Sequence, residues 1–412
     1  MEADLQTLAQ KVVERCGALA RLSEEEGRLT RTFLCPAMRE AHRMLAGWME
    51  ALGMEVRIDA VGNLIGRYPG QKPDAPLFLL GSHVDTVRDA GPYDGVLGVV
   101  LALALVEALG GERLPWALEV IAFSEEEGVR FGVPFLGSKA AAGRFEAGLL
   151  ERKDAQGLSL AEAIRAFGLD PGQIPQAAYQ PHRVRGYLEF HIEQGPVLES
   201  LGYPLGVVEA IVGQSRLELS FLGQAGHAGT TPMPLRRDAL AGAAEWITWV
   251  EREARETPGL VATVGRIAAL PGVANVIPGE VRLSLDVRHA DDQVRAHAVA
   301  HLVGRAQQVA LRRGLELAYQ TLHEQPAVPC DPQLREALAQ AVEAQGYPPY
   351  RMVSGAGHDA MVMASLCPVA MLFLRSPRGL SHHPEESVWP QDVAAALRVG
   401  LHFLRRLGGE YA

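Results

Sequence analysis

The sequence predicts an α/β protein: a larger domain with a mixed, largely parallel sheet flanked by helices, and a smaller α+β unit of ferredoxin-like order inserted into it. Three observations carry this. The stretches APLFLLGSH and LEVIAF are continuously apolar, as strands buried on both faces of a parallel sheet are, and a helical segment lies between them. Six segments between Val207 and His323 then follow the order βαββαβ. After Pro329 the alternation of helix and buried strand resumes.

In chain order, apolar side chains at helical spacing from Pro36 to Leu52, behind a proline suited to a first turn, predict a helix. EVRIDA and NLIGRY predict a short β pair joined at Val61 and Gly62. APLFLLGSH is the first buried strand, residues 95–109 a helix, and LEVIAFSEEEG a second buried strand ending in acids. The inserted unit reads as strand RLELSFLG, helix RRDALAGAAEWITWVEREAR, strands LVATVGRIAAL and EVRLSLDVRH, a helix from Asp291 to Gly314, and strand LELAYQTL. LREALAQAVEAQG, PVAMLFLR and QDVAAALRVGLHFLRRLG close the chain as helix, strand and helix. The expected division is 1–212 with 329–412 for the larger domain and 213–328 for the insertion.

Composition narrows the function. The 412 residues suffice for two or three domains at about 150 residues each. With 48% apolar and 21% charged residues the chain has ordinary globular usage, which excludes disordered and collagen-like readings. Acidic residues outnumber basic ones by 49 to 39, for a net charge of −10, so nucleic acid and anionic membrane surfaces are repelled on average and a small-molecule partner is favoured. The longest apolar run, residues 95–110, includes Glu107 and is too short to span a bilayer, and the N-terminal stretch mixes charges among its apolar residues, unlike a signal peptide or anchor. Cys16, Cys35, Cys330 and Cys367 are scattered without CxxC spacing, which argues against a disulfide framework and places the protein in a reducing cytoplasm.

Five segments place His or acidic residues just beyond predicted strands: GSHVDTV with His83 and Asp85, YDGVLG with Asp94, SEEEGVRF with Glu125 to Glu127, HIEQG with His191, and GLSHHPEE with His382. Ligands of open α/β sheets bind at the carboxyl ends of the strands, so these residues can converge. Imidazole and carboxylate suit divalent transition metals, and a carboxylate can bridge two of them. Each residue alone has an ordinary explanation: Asp94 as a helix N-cap, the acid trio as a solvated charge cluster, Asp85 as a turn aspartate, a lone His as surface or core. Their joint placement favours the metal site. Of adjacent acids, one can bind metal while its neighbour handles protons, and Asp85 is spaced to accept the imidazole N–H of His83.

GSHVDTV, YDGVLGV, EEEGVRF, HIEQG, GHAGTTPM, SGAGHDA and SHHPEE, in that order between Gly81 and Glu386, resemble the amidase, hydantoinase and carbamoylase branch of the M20 metallopeptidase family. HIEQGPVLE and HAGTTPM are similar to N-carbamoyl-L-amino acid hydrolases, allantoate amidohydrolases and β-ureidopropionases rather than to peptidases. The resemblance implies that His83, Asp94, Glu127, His191 and His382 hold two divalent ions (Zn, Mn, Co or Ni), with Asp94 bridging. It implies Glu126 as acid/base and His227 as oxyanion partner, in its own or a partner subunit. Gln194, Asn275, Arg288 and His358 would hold the substrate, Arg288 taking its carboxylate; Arg236 reads equally as structural. The inserted unit would be a lid and the contact of a homodimer. The implied reaction is cleavage of the ureido C–N bond of a small carboxylate, either an N-carbamoyl-L-amino acid or a relative such as allantoate or β-ureidopropionate. An aminoacylase or peptidase, and a non-catalytic binding relative, are the rival readings.

Overall fold

In a computed structural model, which describes residues 2–410, the chain forms two compact units, one from residues 210–329 and the other from the chain on either side. The outermost residues of the predicted larger domain, 1 and 411–412, lie outside the described residues.

The larger unit begins with α1 (Glu2–Ala20), α2 (Pro36–Ala51), β1 (Glu55–Ile58), β2 (Leu64–Tyr68), β3 (Leu77–His83), α3 (Val96–Leu109) and β4 (Ala117–Phe123). It continues through α4 (Leu136–Ala141), α5 (Leu160–Ala166), β5 (Val184–Ile192), α6 (Val197–Leu201) and β6 (Leu205–Ile211). The smaller unit contributes β7 (Gly213–Leu222), β8 (Gly226–His227), α7 (Ala239–Glu256), β9 (Val261–Thr263), β10 (Ile267–Leu270), β11 (Val276–Ile277), β12 (Glu280–His289), α8 (Asp292–Arg312), β13 (Glu316–Gln325) and β14 (Val328–Pro329). The chain then completes the larger unit with α9 (Pro332–Ala344), β15 (Arg351–Ser354), α10 (Asp359–Met363), β16 (Val369–Leu374) and α11 (Pro390–Glu410).

The large sheet runs β1-β2-β4-β3-β5-β16-β6, with β15 beside β6. Its four central strands, β4, β3, β5 and β16, are parallel, and antiparallel strands flank them. Every residue of β3, β4 and β16 is buried, the state that continuous apolar strands require. Helix α3 is apolar around its whole circumference, so it must be covered on all sides. The sheet takes one side, and α1 and α11 take the others. Leu8, Val12, Cys16 and Leu19 of α1, at helical spacing, are the buried stripe that covers α3.

In the smaller unit β10-β12-β7-β13 form an antiparallel sheet with α7 and α8 packed on it, and Trp246 of α7 is fully buried, its indole N–H donating to the Leu302 carbonyl of α8 at 2.9 Å. Asp238 and Asp291 cap these helices by accepting two backbone N–H groups each. The single strand predicted from LVATVGRIAAL is two. Thr263 faces Asp286 and Ile267 faces Leu283, so one side carries an extra residue and the ladder breaks around Gly265.

One core residue makes the fold acid-sensitive. His42 of α2 is buried edge-on against Phe167 at 5.7 Å, and neither ring nitrogen has a partner. Burial, reinforced by the charges of Arg31 and Arg39, pulls its pKa from 6.5 down to about 4. The unfolded chain therefore binds a proton near pH 6.5 that the folded chain refuses, and stability is lost as pH falls from there toward 4. Between pH 7.5 and 4.5, His42→Leu should gain about 2 kcal/mol relative to the wild-type chain in urea unfolding. An unchanged difference would show that the folded state accommodates the imidazolium.

Candidate metal centre

Because β4, β3, β5 and β16 are parallel, their carboxyl ends share one edge of the sheet. His83 is the last residue of β3, Glu125 to Glu127 follow β4, and His191 lies near the end of β5. Asp94 and His382 do not stand directly beyond strands, as the sequence reading expected; both come from longer loops, Asp94 just before α3 and His382 in the segment between β16 and α11. His382 has a left-handed backbone, φ 56°, as does Gln194 at φ 59°. Such strain in residues with side chains clusters where function holds it in place. The turn at Asp94 needs glycine next: Gly95 has φ 66°, and a Cβ there would lie 2.4 Å from the His83 ring.

The Asp94 carboxylate is the meeting point. Its Oδ1 lies 3.4 Å from His83 Nε2 and 3.2 Å from His191 Nε2, and its Oδ2 lies 3.3 Å from His382 Nε2, which is itself 3.3 Å from Glu127 Oε1. Two triads result, His83–Asp94–His191 and Asp94–Glu127–His382, each with ligand atoms within 4.8 Å of one another. The other ring nitrogens explain why. His83 Nδ1 faces the Asp85 carbonyl at 3.0 Å and His191 Nδ1 the Ile192 carbonyl at 2.9 Å. A carbonyl only accepts, so Nδ1 carries the hydrogen and each neutral ring aims the Nε2 lone pair at a carboxylate oxygen. Two lone pairs would face each other there without a cation or a proton between them, and this donor set fits divalent ions.

The charges of the site follow the same geometry. Burial works against a charged His83, but hydrogen bonds to Asp85 and Asp94 hold its pKa well above the usual imidazole value; for His191 burial is likewise outweighed by Asp94. Asp94 and then Glu127 push His382 up to about 10. Burial favours a neutral Asp94, yet His191, His382 and His83 together keep it well below the carboxylate range. Glu126, grouped with His83 and Glu127, is shifted the other way: burial pushes it well above the usual value, only partly opposed by His83.

Asp85 faces the His83 imidazole N–H with its backbone carbonyl at 3.0 Å and its carboxylate at 3.5 Å. The carboxylate also accepts the backbone N–H groups of Glu126 and Glu127, both at 3.0 Å, and so fixes the acid loop. Gln194 joins the centre, donating from Nε2 to Asp94 Oδ2 at 2.8 Å and to Ser381 Oγ at 3.1 Å, while its buried Oε1 has no partner. Ser381, which the sequence reading passed over, donates to the same Asp94 oxygen at 2.7 Å. Its position beside His382 was the available signal.

His358 lies behind the centre. It is buried, its ring centroid is 4.5 Å from that of His191, and its Nε2 is 2.8 Å from Ser354 Oγ. Burial, then the neighbouring His191, holds its pKa well below the usual value, so the ring is neutral. Glu189, His191 and His358 also cluster, but Ser82, Tyr187 and the Ala360 N–H already donate to Glu189, which makes this a buried hydrogen-bond network rather than a cation site.

His227, Asn275 and Arg288 belong to the smaller unit. Pairing of β8 with β11 sets His227 beside Asn275, whose carbonyl accepts the Ala228 N–H at 3.0 Å. His227 is exposed, and its Nδ1 accepts the Gly229 N–H at 3.0 Å, which leaves Nε2–H as a donor. Arg236 donates to the carbonyls of Thr231 and Ala228, a structural role. Arg288 is held by Asp286, Nε to Oδ1 at 2.8 Å and an NH2 group to Oδ2 at 3.1 Å. The i, i+2 spacing of Asp286 and Arg288 on one strand face carried that pairing in LDVRH.

Residues 79–406 match the family model "Peptidase family M20/M25/M40". The chain is 41% identical to the N-carbamoyl-L-amino acid amidohydrolase of Geobacillus stearothermophilus, over 93% of this chain and 94% of that one. It is also 41% identical to the allantoate deiminase of Arabidopsis thaliana, over 96% of this chain and 82% of that one. Among solved structures, a hydantoinase/carbamoylase family amidase from Burkholderia multivorans superposes with a TM-score of 0.90 at 33% identity, covering 96% of this chain and 97% of that one. With convergent ligand triads, a neighbouring buried acid and a family model spanning most of its length, the chain belongs to peptidase family M20/M25/M40.

Proposed function

We propose that this chain is a metal-dependent amidohydrolase that cleaves the ureido C–N bond of N-carbamoyl-L-amino acids. The observation that carries the reading is the pair of ligand triads joined through Asp94 beside the buried Glu126. His83, Asp94 and His191 would hold one divalent ion and Asp94, Glu127 and His382 a second, from among Zn, Mn, Co and Ni. Such ions lower the pKa of water toward about 7 and polarise a carbonyl.

The protein's own residues do the rest. Glu126, held by the grip of Asp85 on its backbone, takes a proton from the attacking water and returns it to the leaving nitrogen. His227, with Nε2–H available, donates to the tetrahedral oxyanion. Arg288, oriented by Asp286, meets the substrate carboxylate, with Asn275 and Gln194 as further polar contacts. Hydrolysis of an N-carbamoyl amino acid by water yields the free amino acid, ammonia and carbon dioxide. His358 is placed in the substrate site only by its motif; its burial against His191 supports an indirect role.

Allantoate is the second substrate reading, favoured by the equal identity to allantoate deiminase. The smaller unit, 213–328 by sequence, is proposed as the lid and dimer-forming domain; its edge strand β10 leaves Ile267 and Leu270 exposed, which supports pairing with a second copy. A cytoplasmic setting is supported by four buried, unpaired cysteines, and among the described residues no helix is long and apolar enough to cross a membrane.

Ammonia release over a panel of ureido acids and dipeptides tests the function: turnover of N-carbamoyl-L-amino acids, inhibited by chelation and restored by one of the four metals, is expected. Turnover confined to dipeptides would contradict it. Glu126→Gln should keep its metal content and lose about 10²–10⁴-fold in kcat; near-normal turnover would remove Glu126 from proton transfer. Arg288→Ala should raise KM for carboxylate substrates roughly 10- to 100-fold, and an unchanged KM would place the anchor elsewhere.

A further inference from the structure

Asp94 is gripped twice by the segment that carries His382. Ser381 donates to the carboxylate, as described above. Four residues past His382, Glu386 grips the backbone: its Oε1 accepts the N–H groups of Tyr93 at 2.7 Å and Asp94 at 2.9 Å. Glu386 is 4% exposed, and its Oε2 is buried without a partner. Those N–H groups lie ahead of α3, where the helix has no partner for them, and a carboxylate is the acceptor best suited to the positive end of a helix. The approach is close: a Cβ on Gly91 would fall 2.2 Å from Glu386 Cβ, so this turn admits glycine alone there. Glu386 is itself fixed by a tight turn, in which its N–H donates to the His383 carbonyl at 3.0 Å and the Glu385 N–H donates to His383 Nδ1 at 3.1 Å.

We propose that Glu386 is a positioning residue that sets Asp94 at the right distance from His382, so that one carboxylate can serve both cations. The inference rests on the two-ion reading above. Neither oxygen of Glu386 is among the grouped ligand atoms, so it acts through the Asp94 backbone rather than on a cation. Three residues of one short segment then cooperate: His382 as ligand, Ser381 on the Asp94 side chain and Glu386 on its main chain. The aspartate and histidine, 288 residues apart in sequence, become one rigid unit. Partners that orient ligands in this way typically cost 10- to 100-fold in metal affinity, as an order of magnitude, when removed.

The test uses the full chain, stripped with a chelator and titrated with Mn²⁺ or Zn²⁺ alone, with amide hydrogen exchange of Tyr93 and Asp94 followed in the metal-free protein. Glu386→Ala should speed exchange at both amides and weaken the second ion at least about tenfold, while the first ion changes less. Glu386→Gln keeps an acceptor oxygen in place and should bind within a few-fold of wild type, which guards against a folding defect in the alanine variant. Wild-type affinity and exchange in Glu386→Ala would overturn the inference, as would Glu386→Gln failing as badly as Glu386→Ala. A wild-type chain that binds no divalent ion would overturn the two-ion reading and this inference with it, a result distinct from equal binding by wild type and variant.

Discussion

A buried carboxylate facing three imidazole nitrogens is the constraint around which the larger unit is organised. Removing an isolated carboxylate from water costs several kcal/mol even after relaxation, as an order of magnitude, and Asp94 is 4% exposed. It is tolerable because positive charge converges on it, from ions or, without them, from protons on His83, His191 and His382. Oδ1 serves two imidazoles and Oδ2 serves the third. Both triads include Asp94, so the position of its turn bears on each, and on the spacing to His382 most of all.

The fold supplies the rigidity that this requires. Parallel β3 and β5 carry His83 and His191 in register, and Glu189 beneath them ties the two strands to α10 through Ser82, Tyr187 and the Ala360 N–H. Helix α3 presses so closely on the sheet that a Cβ on Gly98 would lie 2.2 Å from the Phe190 carbonyl oxygen. Three of the five candidate ligands, Asp94, Glu127 and His382, lie outside the strands, and side chains hold the first two instead: Asp94 is held by Ser381 and Gln194, and the acid loop by Asp85. Strands position the other two, His83 and His191.

The chemistry was legible in the sequence where residue type and strand pattern coincide. An apolar run ending in His83, another ending in Glu125 to Glu127, and a third ending in His191 point to metal-binding side chains gathered at one edge of a parallel sheet. The charges scattered through α1 mask its pattern, in which Leu8, Val12, Cys16 and Leu19 spell out one buried face. Long-range contacts were beyond the pattern. Nothing in SGAGHDA shows that His358 is enclosed by His191 at 4.5 Å and Phe373 at 5.6 Å, contacts set by β5 and β16. The spacing from His83 brings Asp85 to the imidazole N–H, but not the use of its carboxylate by backbone groups some forty residues on. The grip of Glu386 on the Asp94 turn spans most of the chain, and no local period encodes it.

The measurement that bears most directly on this arrangement is anomalous diffraction from crystals grown with Zn²⁺ or Mn²⁺, recorded at the metal edge. Two peaks are expected on opposite sides of the Asp94 carboxylate, about 3.5–4 Å apart, one against His83 and His191 and the other against Glu127 and His382. A single peak, or peaks that leave Asp94 without a cation on one of its oxygens, would contradict the shared-carboxylate centre.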